Sequence, residues 1–159
     1  MALVDSNAAV QGHLYVGARE NTAMDDRCEF CRLADGGQSA HVLYKDEWTI
    51  AFLDRNPATR GHTLVAPRAH VADILTSDDP GAAAVFETVR TVASALEAVL
   101  EPSGFSTFHT TGPLVGTVDH AHVHLVPRFA DDGVSLSLAR REFDPDEAAA
   151  LTAQVRTLL

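Results

Sequence analysis

Three histidines stand at alternate positions in the run DHAHVHLVPR, Asp119 to Arg128. Alternate side chains of a strand share a face, so this spacing predicts that His120, His122 and His124 point one way while Ala121, Val123 and Leu125 point into a core. Neutral imidazole is plentiful near pH 7 because its ordinary pKa is about 6.5, so one histidine can attack as a nucleophile while a neighbour supplies or takes the proton. At about 3.3 Å per residue the outer two are separated by roughly 13 Å of backbone, a span that suits metal binding by neighbouring pairs rather than one ion held by all three. A polar strand face without chemistry is the simplest account of any single histidine, but strict alternation of three argues against it.

Further residues of suitable chemistry lie upstream: His62 in RGHTLVAPR, His70 in APRAH, Asp54 closing AFLD, and Cys28 and Cys31 in CEFC. A CxxC pair serves zinc sites, redox couples and chance alike, and a tetrahedral zinc site needs two more ligands. Asp54 before RNP is either a turn aspartate or a carboxylate that accepts hydrogen bonds from a ligand. By periodicity alone Phe30 and Leu33 are core residues. His13 and His41 read as surface histidines, and His109 as a core or pocket residue.

The segment HAHVHLV is similar to the signature of the histidine triad (HIT) family, His-φ-His-φ-His-φ-φ with φ apolar. CEFCRL, AFLDRNPATRGHTLVAPRAH and a glycine-bearing loop before the triad occur in the family's order, so the resemblance covers about residues 28 to 128 and is closest to the Hint-like branch with a CxxC element. It implies a nucleotide-binding hydrolase or transferase acting at the α-phosphorus of purine nucleoside phosphoramidates, with His122 as the nucleophile that forms a nucleotidyl-histidine. His124 would contact the phosphate and help protonate the leaving group, and His62 would support the proton network. Asp54 would bind the ribose hydroxyls, with Phe30 and Leu33 against the base. The resemblance also implies a structural Zn2+ on Cys28, Cys31, His70 and His120, no organic cofactor, and a homodimer in which two sheets join. A dinucleoside polyphosphate hydrolase, a noncatalytic nucleotide-binding module and a metalloprotein using the histidine row remain alternatives.

One segment departs from the family pattern. Where the family reads much like NNGxxxGQSVxH, this chain has HTTGPLVGTVDH, with Thr110 at the asparagine position, Thr117 near the glutamine and the loop one residue short. Backbone amides of a glycine loop and these threonine hydroxyls are the groups left to hold phosphate.

The elements that must position these residues can be read from the pattern. Strands are expected around His41–Lys45, Trp48–Asp54, 62–68, 105–111 and 120–128, with Asp46 and Glu47 in a hairpin turn and Pro67 at a strand end or edge. Val85, Val89, Val92, Leu96, Val99 and Leu100 form one stripe of a long helix between Pro80 and Pro102. Asp144 and Pro145 open a C-terminal helix. The order predicts an α+β fold: a five-stranded antiparallel meander with helices on one face. Residues 1–27 lack sustained periodicity and read as a poorly ordered extension, leaving 28–159 as one domain.

A formal net charge of −10 with only twelve basic residues excludes a broad footprint for nucleic acid or an anionic membrane, while a small anionic ligand in a local pocket is compatible with it. No apolar run is long enough to span a bilayer, and the two cysteines are too close in sequence to staple distant parts of a fold, so a reducing cytoplasmic location is expected.

Overall fold

The computed structural model describes residues 28–112 and 118–159. The expected N-terminal extension and Thr117 lie outside the described residues. In chain order the elements are α1 (Glu29–Ala34), β1 (Val42–Lys45), β2 (Thr49–Leu53), β3 (Thr63–Pro67), α2 (Pro80–Leu100), β4 (Gly104–Phe108), β5 (Val123–Arg128) and α3 (Pro145–Arg156). The class is α+β, and the five strands form one antiparallel sheet.

The meander holds through β3 and then changes. The strand order is β1-β2-β3-β5-β4, so β5 enters between β3 and β4, and β4 takes the edge. The histidine-bearing strand is therefore central. The β1–β2 hairpin forms as expected because Asp46 Oδ1 accepts the amides of Trp48 at 2.8 Å and Thr49 at 2.7 Å, closing the turn with a side chain. Pro67 lies at the end of β3, where its missing N–H costs the ladder least.

The helices divide between the two faces instead of sharing one. Ala51, Val65, Val123 and Leu125 pack with Ala82, Val85, Val89 and Val92 of α2, whereas Ile50, Phe52, Leu64 and Ala66 pack with Phe30, Leu33 and Ala34 of α1. The strict two-residue alternation of β2 and β3 produces this split. Helix α1 escapes sequence periodicity because it is only six residues long. Its C-terminal end is tied to the sheet by Lys45, whose Nζ donates to the Ala34 carbonyl at 2.6 Å.

Helix α2 begins where expected, with Asp79 capping the Gly81 amide and Pro80 at the first position, and ends at Glu101 in a left-handed conformation. Its stripe is shorter than the sequence suggested: Val99 is 75% exposed. Val99 lies within about 20° of Val92 around the helix, so the stripe keeps its direction but is left uncovered in the last turn. Helix α3 is capped as expected by Asp144, which accepts the amides of Asp146 and Glu147, yet none of its residues is buried. No helix among the described residues is long and apolar enough to cross a membrane.

Gly61 places His62 at the mouth of β3. Its φ is +87°, and a Cβ there would lie 2.6 Å from Leu100 Cδ1 and 3.2 Å from Pro127 Cγ. Gly61→Ala should therefore destabilise the fold by about 1–2 kcal/mol from backbone strain, with the displacement of Leu100 adding to that. Urea unfolding of the two proteins checks this, and an unchanged midpoint would contradict it.

Candidate functional site

Strand β5 and the two residues before it carry the histidine row. His124 lies opposite Leu64 of β3 and Phe108 of β4, whereas His122 precedes the first residue of β5. The alternation predicted for the row persists beyond the ladder, because Ala121, Val123 and Leu125 all enter the core beneath α2. The opposite face, shared with α1, holds a pocket of about 540 Å³. His122, His124, Phe30, Leu33 and Asp54 line it. Its size falls in the usual range for small-molecule sites, roughly 300–1,000 Å³.

Hydrogen bonds to the backbone set the proton positions on these rings. A carbonyl oxygen only accepts, so each imidazole nitrogen facing one carries the proton. His122 Nδ1 donates to the His120 carbonyl at 2.8 Å, which leaves the Nε2 lone pair of a pocket-lining ring available. The Ala58 amide donates to His62 Nδ1 at 3.0 Å, so in the neutral ring Nε2 carries hydrogen. That N–H donates to His124 Nδ1 at 3.0 Å, and Asp54 Oδ2 stands 3.6 Å from it. His124 then keeps its hydrogen on Nε2. Adjacent rings thus present a lone pair and an N–H donor, the pair needed to attack a centre and to hydrogen-bond its leaving group.

Asp54 combines both roles left open for it. Its Oδ1 accepts the Asn56 amide at 2.8 Å, as a turn aspartate does, while its side chain also lines the pocket. Phe30 likewise serves core and wall, with its ring edge-on to Phe52 at 5.2 Å and to His122 at 5.1 Å between centroids. Thr110 is exposed and is not among the residues lining the pocket. His41, read as a surface histidine, is exposed but stands at the pocket wall.

A second cluster stands behind the first. Cys28, at the N-cap of α1, and Cys31 meet His70 and His120, with one ligand atom from each residue within 4.8 Å of every other. His120 Nε2 donates to the Pro67 carbonyl at 2.9 Å, turning the Nδ1 lone pair toward Cys28 Sγ at 3.3 Å and Cys31 Sγ at 3.6 Å. Cys31 Sγ is 3.4 Å from His70 Nδ1. A tetrahedral zinc with Zn–S of about 2.3 Å and Zn–N of about 2.0–2.1 Å has an S···N edge of about 3.5 Å, so these four residues fit such an ion in donor type, tautomer and spacing.

Asp54, His62 and His124 also lie close enough to share an ion. Their hydrogen bonding argues against that use. The Ala58 amide occupies the Nδ1 lone pair of His62, and its Nε2 carries the proton that joins it to His124. This disfavours the histidine row as an active metal centre.

Sequence patterns did not single out Phe108, which stacks on His124 with centroids 4.4 Å apart and planes 12° from parallel. The usable signal was pairing register, since Phe108 is the β4 residue opposite His124. Burial, and then the nearby His122 and His62, push His124 down from the ordinary imidazole value to about 4. Burial also lowers His62, against the opposing pull of Asp54, and lowers His120.

The His124 shift has a defined sign. Between its folded and unfolded values the unfolded chain binds more protons, so the stabilisation is full above about pH 6.5 and is lost as pH falls toward 4. A shift of this size corresponds to no more than about 3 kcal/mol. Between pH 7.5 and 4.5 the wild-type protein should lose about 2 kcal/mol more than His124→Asn, measured as the difference of their denaturant unfolding curves. Parallel losses in the two proteins would refute it.

A family model for the HIT domain matches residues 36–131. Protein hit of Bacillus subtilis is 35% identical over 105 residues, 65% of this chain and 72% of that one. The adenylylsulfatase HINT3 of Arabidopsis thaliana is 29% identical, with 88% and 73% of the two chains covered. The adenosine 5'-monophosphoramidase hnt1 of Schizosaccharomyces pombe is 27% identical, with 80% and 95% covered. The crystal structure of SMU.412c from Streptococcus mutans superposes with a TM-score of 0.79 at 32% identity, covering 97% of this chain and 98% of that one. A zinc-bound histidine triad family protein from Mycobacterium smegmatis superposes with a TM-score of 0.64 at 32% identity, covering 84% and 98%. With the family model spanning more than half of the sequence and the sheet matching that of solved members, the chain belongs to the HIT family.

Proposed function

We propose that the protein hydrolyses or transfers nucleotides at the α-phosphate, as a purine nucleoside phosphoramidase acting through a nucleotidyl-histidine on His122. The observation that carries this reading is the bond from His122 Nδ1 to the His120 carbonyl, which leaves Nε2 as a nucleophilic lone pair in the pocket. The Nε2 lone pair attacks the α-phosphorus and the phosphorus–nitrogen bond breaks. The departing amine is held by a hydrogen bond from His124 Nε2–H, whose ring is fixed by His62, and takes its proton from solvent. Water then attacks the nucleotidyl-histidine and returns a proton to solvent, releasing the nucleotide and restoring the His122 lone pair. Asp54 accepts hydrogen bonds from the ribose, and Phe30 and Leu33 flank the base. Thr110 and Thr117 contribute to the phosphate loop. The printed activities of the Arabidopsis and fission yeast relatives support a reaction of this class.

Cys28, Cys31, His70 and His120 hold a Zn2+ ion in this reading. When bound, it supplies a structural clamp between α1, the end of β3 and the start of the histidine row. The zinc-bound M. smegmatis protein supports the choice of metal, and thiolate ligands suit a reducing cytoplasm. The chain acts as a homodimer. In support, Leu151 and Val155 of α3 and Leu158 just beyond it are exposed, and a twelve-residue helix gains little stability in water without packing.

With an adenosine phosphoramidate as substrate, His122→Ala should lower kcat by at least about a thousandfold and abolish the labelled nucleotidyl adduct found on the wild-type protein. Turnover of a diadenosine polyphosphate in preference to the phosphoramidate would favour the polyphosphate hydrolase, and nucleotide binding without any turnover would favour a binding module. Metal analysis should find one zinc per chain, lost in Cys31→Ser and retained in His122→Ala. Two zinc ions, or loss of metal in His122→Ala, would overturn the division between the clusters.

A further inference from the structure

His109 is buried at the end of β4, with its side chain only 7% exposed. Its Nδ1 donates to the backbone carbonyl of His122 at 2.8 Å, and its Nε2 faces Asp73 Oδ1 at 3.5 Å. Nε2 is fully enclosed and has no hydrogen bond of its own among the described residues. Both ring nitrogens therefore face acceptors. Asp73 is itself fixed, since it accepts the Leu75 amide at 2.9 Å and the Thr76 hydroxyl at 2.9 Å. Those bonds, the Leu75 amide foremost, hold its carboxyl below the usual carboxylate range.

The location of this ring is informative. Pairing between β4 and β5 runs from Gly104 opposite Arg128 to Phe108 opposite His124 and goes no further. Pairing between β3 and β5 ends at Val65 opposite Val123. His122 thus lies just past both ladders, where no strand partner among the described residues fixes its peptide. Beside it, the Ala121 amide donates to the Val71 carbonyl at 2.7 Å, so the 71–73 segment takes one side of this stretch and His109 the other. The side chain of His109 supplies the donor that the next backbone pair would have provided.

We infer that His109 is a positioning residue that fixes the peptide of His122 and so aims its ring into the pocket. This rests on the reading of His122 as the nucleophile. The logic is mechanical. The His122 ring is tied to the His120 carbonyl, so a rotation of the His122 peptide changes both the direction of Nε2 and the bond that keeps it unprotonated. Misplacing a reacting atom by about 1 Å can cost on the order of 100-fold in rate.

The test uses the full-length, zinc-loaded protein and two variants. His109→Phe keeps a flat ring without a donor, and His109→Asn restores an amide N–H near the Nδ1 position. With an adenosine phosphoramidate, His109→Phe should lower kcat by about 10–100-fold with KM within about threefold, and His109→Asn should recover kcat to within about threefold of wild type. Independently of turnover, imidazole nitrogen NMR should show the fixed Nδ1–H form of His122 in the wild type and in His109→Asn, and a mixture of the two tautomers in His109→Phe. Wild-type kcat in His109→Phe, equal impairment in both variants, or an unchanged His122 tautomer in His109→Phe would overturn the inference. Absence of turnover by the wild-type protein would count against the proposed function alone, and the tautomer measurement would still decide the role of His109.

Discussion

A neutral imidazole has one N–H and one lone pair, and a backbone carbonyl can only accept. Whichever nitrogen meets a carbonyl must carry the proton, and the other nitrogen is left to bind a metal or attack a substrate. His120 meets the Pro67 carbonyl through Nε2 and presents Nδ1 to the cysteines. His122 meets the His120 carbonyl through Nδ1 and keeps the Nε2 lone pair. Residues that look equivalent by spacing are thereby divided between a cluster that could hold a metal and a pocket. The same constraint acts at His62, where an amide takes the lone pair of Nδ1 and leaves an N–H for His124.

The sheet delivers the rings to those carbonyls. Insertion of β5 between β3 and β4 puts His124 opposite Leu64 on one side and opposite Phe108 on the other, and brings the Pro67 end of β3 to His120. Small and branched residues on the far face, Ala51, Val65 and Val123, let α2 sit close to the sheet. The near face is only partly covered, because α1 is short and occupies one end. The uncovered remainder is the pocket. Lys45, the one lysine in the sequence, fastens α1 at its last carbonyl, and that helix carries Cys31, Phe30 and Leu33.

Much of this was legible from residue order. Strict alternation assigned the two faces of β5, the turn residues Asp46 and Asp144 marked the hairpin and the last helix, and family-like spacing brought Cys28, Cys31, His70 and His120 into one set. What escaped was non-local. Strand order depends on which edge accepts β5, and nothing in the pattern of β4 or β5 distinguishes the two choices. Helix α1 is too short to declare a period. Phe108 and His109 acquire their contacts only once β4 is registered against β5, since each acts on a histidine more than ten residues away. Thr110 lies past the end of β4 and outside the pocket wall, so its assignment to the phosphate loop rests on the family resemblance.

Burial of the pocket rings serves the same tautomer logic. In open water, imidazoles would gain a second proton on moderate acidification, and His124 Nδ1 could then no longer accept from His62. Stacking by Phe108 and enclosure beside β3 oppose that proton, as does the repulsion expected if neighbouring rings were charged together. The directed bond from His62 to His124 is thus kept across the range in which a solvated pair would lose it. The necessary consequence is sensitivity to acid, since a fold that enforces neutral histidines is destabilised once the unfolded chain can protonate them. A well-oriented relay and an acid-labile core are two results of one desolvated site.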